Sequence, residues 1–333
     1  MQFSVVIPTY NRVEALAKTL SALSSQTLCR PGPAGLSASR APQEDTPAEI
    51  QPADQEPPFE ILVVDDGSTD DTEDLVTRFQ RDCPVPLHYF RQANRKQGSA
   101  RNLGSRRAGG DFLVFLGDDT VPTLNFLEEH AKARTKPRID PCSSRLVVIG
   151  YTPWPQEYRK TRFMRYIVEE GWQFGFSLIR DPEDISFNFF YTSNLSISRS
   201  FFWESGGFDE GFQEYGWEDI ELGHRLQQLG MHLVFQREAI AYHHHPTSFR
   251  SFVQRQRKVG SSAWRFYQMH PELDSFLNVQ STPRYSGFAR LKMGTLSWLC
   301  RLTEARNWPD LSRYYPDVMS YHYNRGILKA RNE

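Results

Sequence analysis

Two adjacent carboxylates stand where a buried strand is predicted to end. Asp118 and Asp119 follow the apolar run F-L-V-F-L at 112–116, with Gly117 between them and the run. An unpaired charge at such an edge is costly to bury, and a bound cation removes that cost. Hard oxygen ligands suit Mg²⁺ or Mn²⁺, and Mg²⁺ commonly adds phosphate oxygens to one or two carboxylates. The pair therefore predicts a divalent metal with a diphosphate ligand, unless the two residues only cap a strand-to-helix turn.

Polar residues also follow two earlier apolar runs. P-T-Y-N at 8–11 follows F-S-V-V-I, and D-D-G-S at 65–68 follows I-L-V-V. Ligands of open α/β sheets bind beyond the carboxyl ends of the strands. At such a position Tyr10 offers a ring for stacking, and Asp66 offers a carboxylate to an N–H or O–H of a base or ribose. D-D-G-S is also a common turn sequence, which is the alternative interpretation.

Positive charge is concentrated just before the carboxylate pair. The segment 91–107 contains no acidic residue and holds six basic ones: Arg91, Arg95, Lys96, Arg101, Arg106 and Arg107. In a chain of formal net charge -1, such a cluster can balance a nucleotide diphosphate. A solvated helix face is the other interpretation.

Three histidines at 243–245 follow a later apolar segment. Alternate residues of a strand share a face, so His243 and His245 are expected on one side and His244 on the other. A zinc site, whose other ligands would come from elsewhere in the chain, and a surface run of histidines both remain open.

The elements that position these residues alternate between strand and helix. Strands are predicted at 3–8, 59–65, 87–90, 111–116, 189–198, 232–235 and 239–245, with helices at 13–25, 71–81, 98–108 and 217–229. Such alternation predicts an α/β fold, with a mainly parallel sheet covered by helices on both faces.

The length of 333 residues suits one large domain with an appended tail. The segment 29–58 holds seven prolines, five alanines and two large aliphatic residues, so we expect a disordered insertion there. From 246 onward, aromatic and basic residues mix in a helical pattern. We expect a catalytic domain over 1–245 and a C-terminal helical region over 246–333, which serves acceptor binding, membrane-surface contact or packing alone.

Composition excludes several classes of protein. A net charge of -1 and a pI near 6.8 argue against a nucleic-acid binder. The four cysteines form no C-x-x-C pair, so neither a zinc knuckle nor a dense disulfide framework is indicated. The first residues lead directly into a strand without a signal-peptide pattern, and no run approaches 18 apolar residues. These features predict a cytoplasmic protein and leave peripheral membrane contact open.

Five segments together resemble the motifs of family-2 glycosyltransferases with a GT-A fold. They are V-V-I-P-T-Y-N-R, I-L-V-V-D-D-G-S-T-D-D-T, G-S-A-R-N-L-G, F-L-V-F-L-G-D-D and G-W-E-D-I-E-L, in the expected order over about residues 1 to 245. The resemblance implies a Rossmann-like GT-A fold and an inverting transferase. It also implies a nucleotide-sugar donor, UDP-linked, and an acceptor that is a glycan, a lipid-linked molecule or a protein.

The same resemblance assigns roles to donor-side residues. Tyr10 would stack on the base and Asp66 would accept its N–H, with Pro8, Thr9 and Asn11 shaping the pocket. Arg101 would lie near the diphosphate. Gly117 occupies the first position of the family's D-x-D motif, so metal binding would pass to Asp119, with Asp118 as a ribose or second metal contact.

On the acceptor side, the similarity points to the E-D pair at 218–219. Asp219, beside Glu218, would be the general base, kept ionised by the positive end of a helix dipole. His243, or else His245, would complete the Mn²⁺ or Mg²⁺ site. Two other functions remain open at this point: a sugar nucleotidyltransferase, and a non-catalytic protein that binds nucleotide sugars.

Overall fold

The computed structural model describes residues 1–29, 57–135, 144–306 and 309–332. The predicted disordered insertion at 29–58 falls almost entirely within 30–56, outside the described residues. All predicted site residues fall within them.

The first half of the chain builds one side of a sheet. In chain order the elements are β1 (Phe3–Thr9), α1 (Val13–Leu23), β2 (Phe59–Asp65), α2 (Thr72–Asp82), β3 (Leu87–Arg91), α3 (Lys96–Arg107) and β4 (Phe112–Leu116). β1 lies between β2 and β4, and all three are parallel, as is β3 beside β2. Each predicted element is present here with small shifts at its ends.

The second half completes the sheet in mixed orientation. Its elements are β5 (Thr120–Pro122), α4 (Phe126–Ala133), β6 (Leu146–Tyr151), α5 (Arg162–Glu169), β7 (Asn194–Ser198), α6 (Arg199–Glu204), α7 (Glu218–Gln228) and β8 (His232–His243). The strand order is β3-β2-β1-β4-β7-β6-β8-β5. β7 is antiparallel to β4 and to β6, and β5 is antiparallel to β8, whereas β6 and β8 are parallel. The expected GT-A class of mixed, mainly parallel sheet is confirmed.

Three predicted strands differ from the structure. The strand expected at 189–198 begins only at Asn194, because 187–189 form a 3-10 turn. The strands expected at 232–235 and 239–245 form one strand, β8, which shifts register against Gly150 and Tyr151 of β6. At this bulge Gly150 is required, since a Cβ there would stand 2.3 Å from the carbonyl oxygen of Ala239.

The central strands are buried on both faces. Val6, Leu113 and Phe115 face one hydrophobic cluster, while Val5 and Val114 face the other. Helices cover both sides, which explains why these strands read as continuous apolar runs instead of alternating ones. Packing on both faces therefore fixes the positions of the residues at the carboxyl ends of β1, β2 and β4.

The C-terminal region is helical, as predicted. It consists of α8 (Phe249–Met269), α9 (Asp274–Leu277), α10 (Gly287–Arg306) and α11 (Tyr315–Asn332). Ser248 caps α8 in a capping box with Ser251. α8 and α11 pack closely, since a Cβ on Gly260 or on Gly326 would lie 2.0 Å from a carbonyl oxygen of the other helix. Phe163 of α5 packs in the same cluster as Phe249, so the boundary at 245 remains a prediction.

Across the described ranges, none of the helices has the length and apolar character needed to span a lipid bilayer.

Candidate active site

A single cleft of about 1260 Å³ opens where the carboxyl end of the sheet meets α7 and α8. Its walls include nearly all the predicted site residues: Pro8, Thr9, Tyr10, Asp66, Arg101, Asp118, Asp119, Glu218, Asp219, His243 and His245. Asn11 lies in an adjoining groove that Asp119 and His245 also line. The fold therefore gathers residues that are more than 200 positions apart in sequence.

Asp118 is buried and fully engaged. Its Oδ2 accepts a hydrogen bond of 3.0 Å from Thr9 Oγ1, and its Oδ1 lies 3.2 Å from Nη1 of Arg12. Burial raises the pKa of Asp118 to about 6, against the opposing charge of Arg12. Asp118 thus ties the end of β4 to the end of β1.

Gly117 leaves no space for a side chain. A Cβ at this position would stand 2.4 Å from Oγ1 of Thr120, which itself donates a 2.8 Å hydrogen bond to the Gly117 carbonyl. The tight turn after β4 therefore accounts for the missing first carboxylate of the motif.

Asp119 faces a neutral imidazole. Its Oδ2 lies 3.7 Å from Nε2 of His243 and also contacts Arg12. Burial alone would raise the pKa of Asp119, but His243 and Arg12 hold it below its ordinary value. Burial lowers the pKa of His243 to about 4, so this imidazole is uncharged near neutral pH. An ionised carboxylate and a neutral imidazole are suitable ligands for a divalent cation.

The other two histidines take opposite sides. His245 lines the cleft with its ring 5.9 Å from that of His243, whereas His244 packs edge-on against Tyr158. His243 Nδ1 is buried and has no hydrogen-bond partner among the described residues. Of the two histidines in the cleft, His243 is therefore the better placed to bind a metal ion together with Asp119.

Asp66 and Asn11 have structural partners in this conformation. Asp66 accepts from the backbone N–H of Arg95 and of Lys96, at 2.8 and 2.9 Å, and from the Gln92 amide. Asn11 Oδ1 accepts from the N–H of Thr69 at 2.7 Å. Both residues order the loops around Tyr10, which is 46% exposed at the cleft, and their contact with a base stays a prediction.

Glu218 and Asp219 begin α7 with different environments. Arg101 Nη1 lies 3.3 Å from Glu218 Oε1, and both side chains are almost fully buried. Asp219 is partly exposed to the cleft, and its Oδ1 accepts from the N–H of Ile220 at 2.9 Å. Burial and the charge of Glu218 raise the pKa of Asp219 to about 7, while Arg101 opposes this rise. Asp219 is thus suited to accept a proton at neutral pH.

The basic cluster at 91–107 is mostly turned away from the cleft. Arg101 is its member among the cleft-lining residues, and that side chain is held by Glu218. Arg95 and Arg106 pair with Glu210, and Arg91 pairs with Glu73. Four of the six cations therefore pair with acidic residues in this conformation, and the role of the cluster at a diphosphate stays a prediction.

Sequence reasoning did not assign Arg12, Arg255 or Lys258, three cations that reach the cleft. Arg12 bridges Asp118 and Asp119 from the turn after β1. Arg255 comes from α8 and donates to Gln173 Oε1 at 2.6 Å. The first lies in the quoted V-V-I-P-T-Y-N-R motif and the second opens the basic run R-Q-R-K at 255–258, which were the available signals.

Comparison with known proteins agrees with this geometry. The family model "Glycosyl transferase family 2" matches residues 4–206, and "Glycosyl transferase family group 2" matches 112–315. Validoxylamine A glucosyltransferase from Streptomyces hygroscopicus subsp. limoneus is 30% identical over 259 residues, covering 71% of this chain and 50% of that protein. The chain spans about half the length of this curated relative.

Two solved structures share the fold at low identity. Mannosyltransferase PcManGT from Pyrobaculum calidifontis, in complex with GDP-Man and Mn²⁺, has a TM-score of 0.58 and 16% identity, covering 99% of this chain and 86% of that one. S. aureus TarS 1-349 in complex with UDP has a TM-score of 0.53 and 17% identity, covering 100% and 92%. With the family model matching most of the chain and the GT-A architecture in place, the protein belongs to glycosyl transferase family 2.

Proposed function

We propose that the chain is a metal-dependent, inverting glycosyltransferase that moves a sugar from a UDP-linked donor to an acceptor hydroxyl. The observation that best supports this proposal is that one cleft contains both a candidate metal site and a candidate base. The Asp119–His243 pair lines it from one side, and Asp219 of α7, whose pKa is raised, lines it from another. A nucleotidyltransferase needs the metal carboxylates but has no use for a base at Asp219. A protein that only binds nucleotide sugars needs neither feature.

The donor side requires a divalent cation, Mn²⁺ or Mg²⁺. Asp119 and His243 would hold it, with Asp118 or His245 as further contacts, and it would stabilise negative charge on the departing nucleoside diphosphate. The similar mannosyltransferase was solved with GDP-Man and Mn²⁺, and TarS with UDP, which supports a nucleotide-sugar donor and a cation here. Tyr10 and Asp66, beside Pro8 and Thr9, are the proposed nucleoside contacts.

The transfer step itself falls to Asp219. Its carboxylate takes the proton of the acceptor hydroxyl while the hydroxyl oxygen bonds to the anomeric carbon. The bond from that carbon to the phosphate oxygen breaks, and the nucleoside diphosphate leaves from the opposite face. One displacement inverts the anomeric centre. Glu218, held by Arg101, would keep the first turn of α7 in place.

The acceptor side includes the C-terminal helices. Arg255 and Lys258 of α8 line the cleft together with Tyr323 of α11. We propose that these helices form part of the binding site for a glycan, lipid-linked or protein acceptor.

We also propose that helix α10 contacts a membrane surface. Apolar side chains on one face are exposed at spacings of three, seven and four residues: Phe288 (78%), Leu291 (70%), Trp298 (57%) and Leu302 (37%). Its opposite face packs into the C-terminal core through Met293, Leu296 and Cys300. The exposed basic residues Arg290, Lys292 and Arg301 accompany the stripe. An apolar stripe with flanking cations is typical of helices that lie in an anionic lipid surface.

The test of the central proposal is a donor panel. The chain is incubated with Mn²⁺ or Mg²⁺, simple glycoside acceptors and UDP-, GDP- or dTDP-sugars, and nucleoside diphosphate release is measured. Release of UDP that depends on metal and falls by about 10² to 10⁴-fold in Asp219→Asn supports the proposal. Release of pyrophosphate from a nucleoside triphosphate and a sugar phosphate would instead identify a nucleotidyltransferase.

A further inference from the structure

A second cluster of metal-binding side chains lies outside the cleft, where α7 meets the loop after α8. It consists of His224 on α7, and His270 and Glu272 after α8, and one ligand atom from each lies within 4.8 Å of the others. Nε2 of His224 and Nδ1 of His270 are each 3.4 Å from the same carboxylate oxygen, Oε1 of Glu272.

The two nitrogen-to-oxygen distances of 3.4 Å are longer than those of most hydrogen bonds. N–H···O bonds cluster at about 2.7 to 3.2 Å. Two ligands of a tetrahedral zinc ion, bonded at about 2.0 to 2.1 Å, are separated by about 3.3 to 3.4 Å. Both nitrogen-to-oxygen distances in the cluster therefore match the edge of a zinc coordination tetrahedron.

The contacts of His270 also favour a metal. Nε2 of His270 lies 3.1 Å from Oε1 of Glu221, a fully buried carboxylate that Arg225 holds through two 2.7 Å contacts. Metal-binding histidines usually donate the N–H of one ring nitrogen to such a carboxylate and bind the metal through the other nitrogen. Nδ1 is thus the ring nitrogen of His270 that faces Glu272.

His224 also offers a lone pair at the nitrogen that faces Glu272. The amide Nε2 of Gln228 lies 3.1 Å from Nε2 of His224, and because an amide N–H only donates, the imidazole nitrogen is the acceptor. The side chain of Glu272 is 55% exposed, which leaves a path for an ion and a position for a water ligand. Two imidazoles and a carboxylate form a recognised zinc ligand set.

We infer that His224, His270 and Glu272 form a zinc-binding site, separate from the cleft, that fastens α7 to the C-terminal helical region. Because α7 begins with Glu218 and Asp219, an ion here would fix the helix that carries the proposed base. The site does not depend on the proposed transferase activity, and its test measures metal binding alone.

The experiment uses the full chain carrying Asp119→Asn, which weakens any binding of zinc in the cleft. Zinc affinity and stoichiometry are measured by titration calorimetry and by elemental analysis after desalting. We expect one zinc ion per chain. Adding Glu272→Gln or His270→Gln should weaken the affinity by about 100-fold or more, at least the upper end of what losing a supporting group costs.

Glu204→Gln is the matched control, since the Glu204 side chain is similarly exposed at 45% and pairs with Arg145, away from the histidine cluster. It should leave zinc affinity unchanged. Glu272→Gln alters an exposed side chain, so folding is not at risk, and circular dichroism checks this for His270→Gln. Absence of bound zinc in the Asp119→Asn chain would overturn the inference, as would equal affinity in Glu272→Gln and His270→Gln.

Discussion

Nε2 of His243 lies 3.7 Å from Oδ2 of Asp119, at the point where β8 passes the turn after β4. The imidazole is neutral and the carboxylate ionised, because their pKa values are lowered to about 4 and below the ordinary range respectively. The separation exceeds a hydrogen bond, yet it is short enough for one cation to contact both atoms at about 2.0 to 2.2 Å each. This relationship is the main structural reason to expect a metal in the cleft.

Replacing His243 should therefore impair metal use. We expect His243→Ala to lower kcat/KM by about 100-fold or more at limiting Mn²⁺, because Lewis-acid stabilisation of the leaving group contributes several kcal/mol. The measurement is nucleoside diphosphate release as a function of Mn²⁺ concentration.

His244→Ala is the control, since His244 faces Tyr158 instead of the carboxylate pair. It should keep the metal dependence of the unmodified chain. An equal loss in both variants would mean that the histidine run matters for packing and not for metal binding.

Replacing Asp219 should slow the transfer step without weakening donor binding. Asp219→Asn keeps the size of the side chain and its acceptor for the Ile220 N–H, but removes the base. We expect kcat to fall by about 10² to 10⁴-fold, while the dissociation constant for the UDP-sugar changes little. Calorimetry and single-turnover assays measure the two quantities, and turnover near that of the unmodified chain would rule out Asp219 as the base.

The pH profile should report the same group. Burial and Glu218 raise the pKa of Asp219 to about 7, and a general base works only when deprotonated. We therefore expect kcat/KM to rise about tenfold per pH unit below pH 7 and to level off above it. The residual activity of Asp219→Asn should lack this limb, and a limb that persists in the variant would assign the titration to another group.

Arg12 competes for the position of the cation. It contacts both Asp118 and Asp119, and two like charges about 4 Å apart repel by on the order of 1 to 4 kcal/mol. Arg12→Met should tighten Mn²⁺ binding by about tenfold or more and should weaken binding of the donor diphosphate. Calorimetric titrations of each ligand distinguish this from a purely structural role, in which both affinities would fall.

The sequence predicted the site best where polar residues directly follow an apolar strand. The apolar runs of β1, β2 and β4 end in the polar residues that line the cleft, so Asp118 and Asp119 could be placed in advance. The antiparallel direction of β7 could not, because a buried strand has the same composition in either direction. The three-residue β5 is too short to show a periodic pattern.

Contacts between residues far apart in the chain could not be predicted from the sequence either. Arg12 and Asp118 are 106 positions apart, and Arg101 and Glu218 are 117 apart. A motif records the type of each residue but not its partner, so Arg101 was expected at a diphosphate, whereas the structure holds it on Glu218. Such contacts depend on how α3 and α7 pack, which a single sequence does not encode locally.

The exposed stripe on α10 predicts binding to anionic vesicles. Leu291 and Trp298 are 70% and 57% exposed, so Leu291→Ser with Trp298→Ser removes apolar surface without opening the core. We expect the unmodified chain to sediment with phosphatidylglycerol vesicles and the double variant to remain largely in the supernatant, since interfacial helices bind in proportion to their buried apolar area. Binding to neutral phosphatidylcholine vesicles should be weak, because the basic residues beside the stripe then have no partner. Equal sedimentation of both chains, with Met293 and Leu296 undisturbed in the core, would show that this face of α10 does not contact lipid.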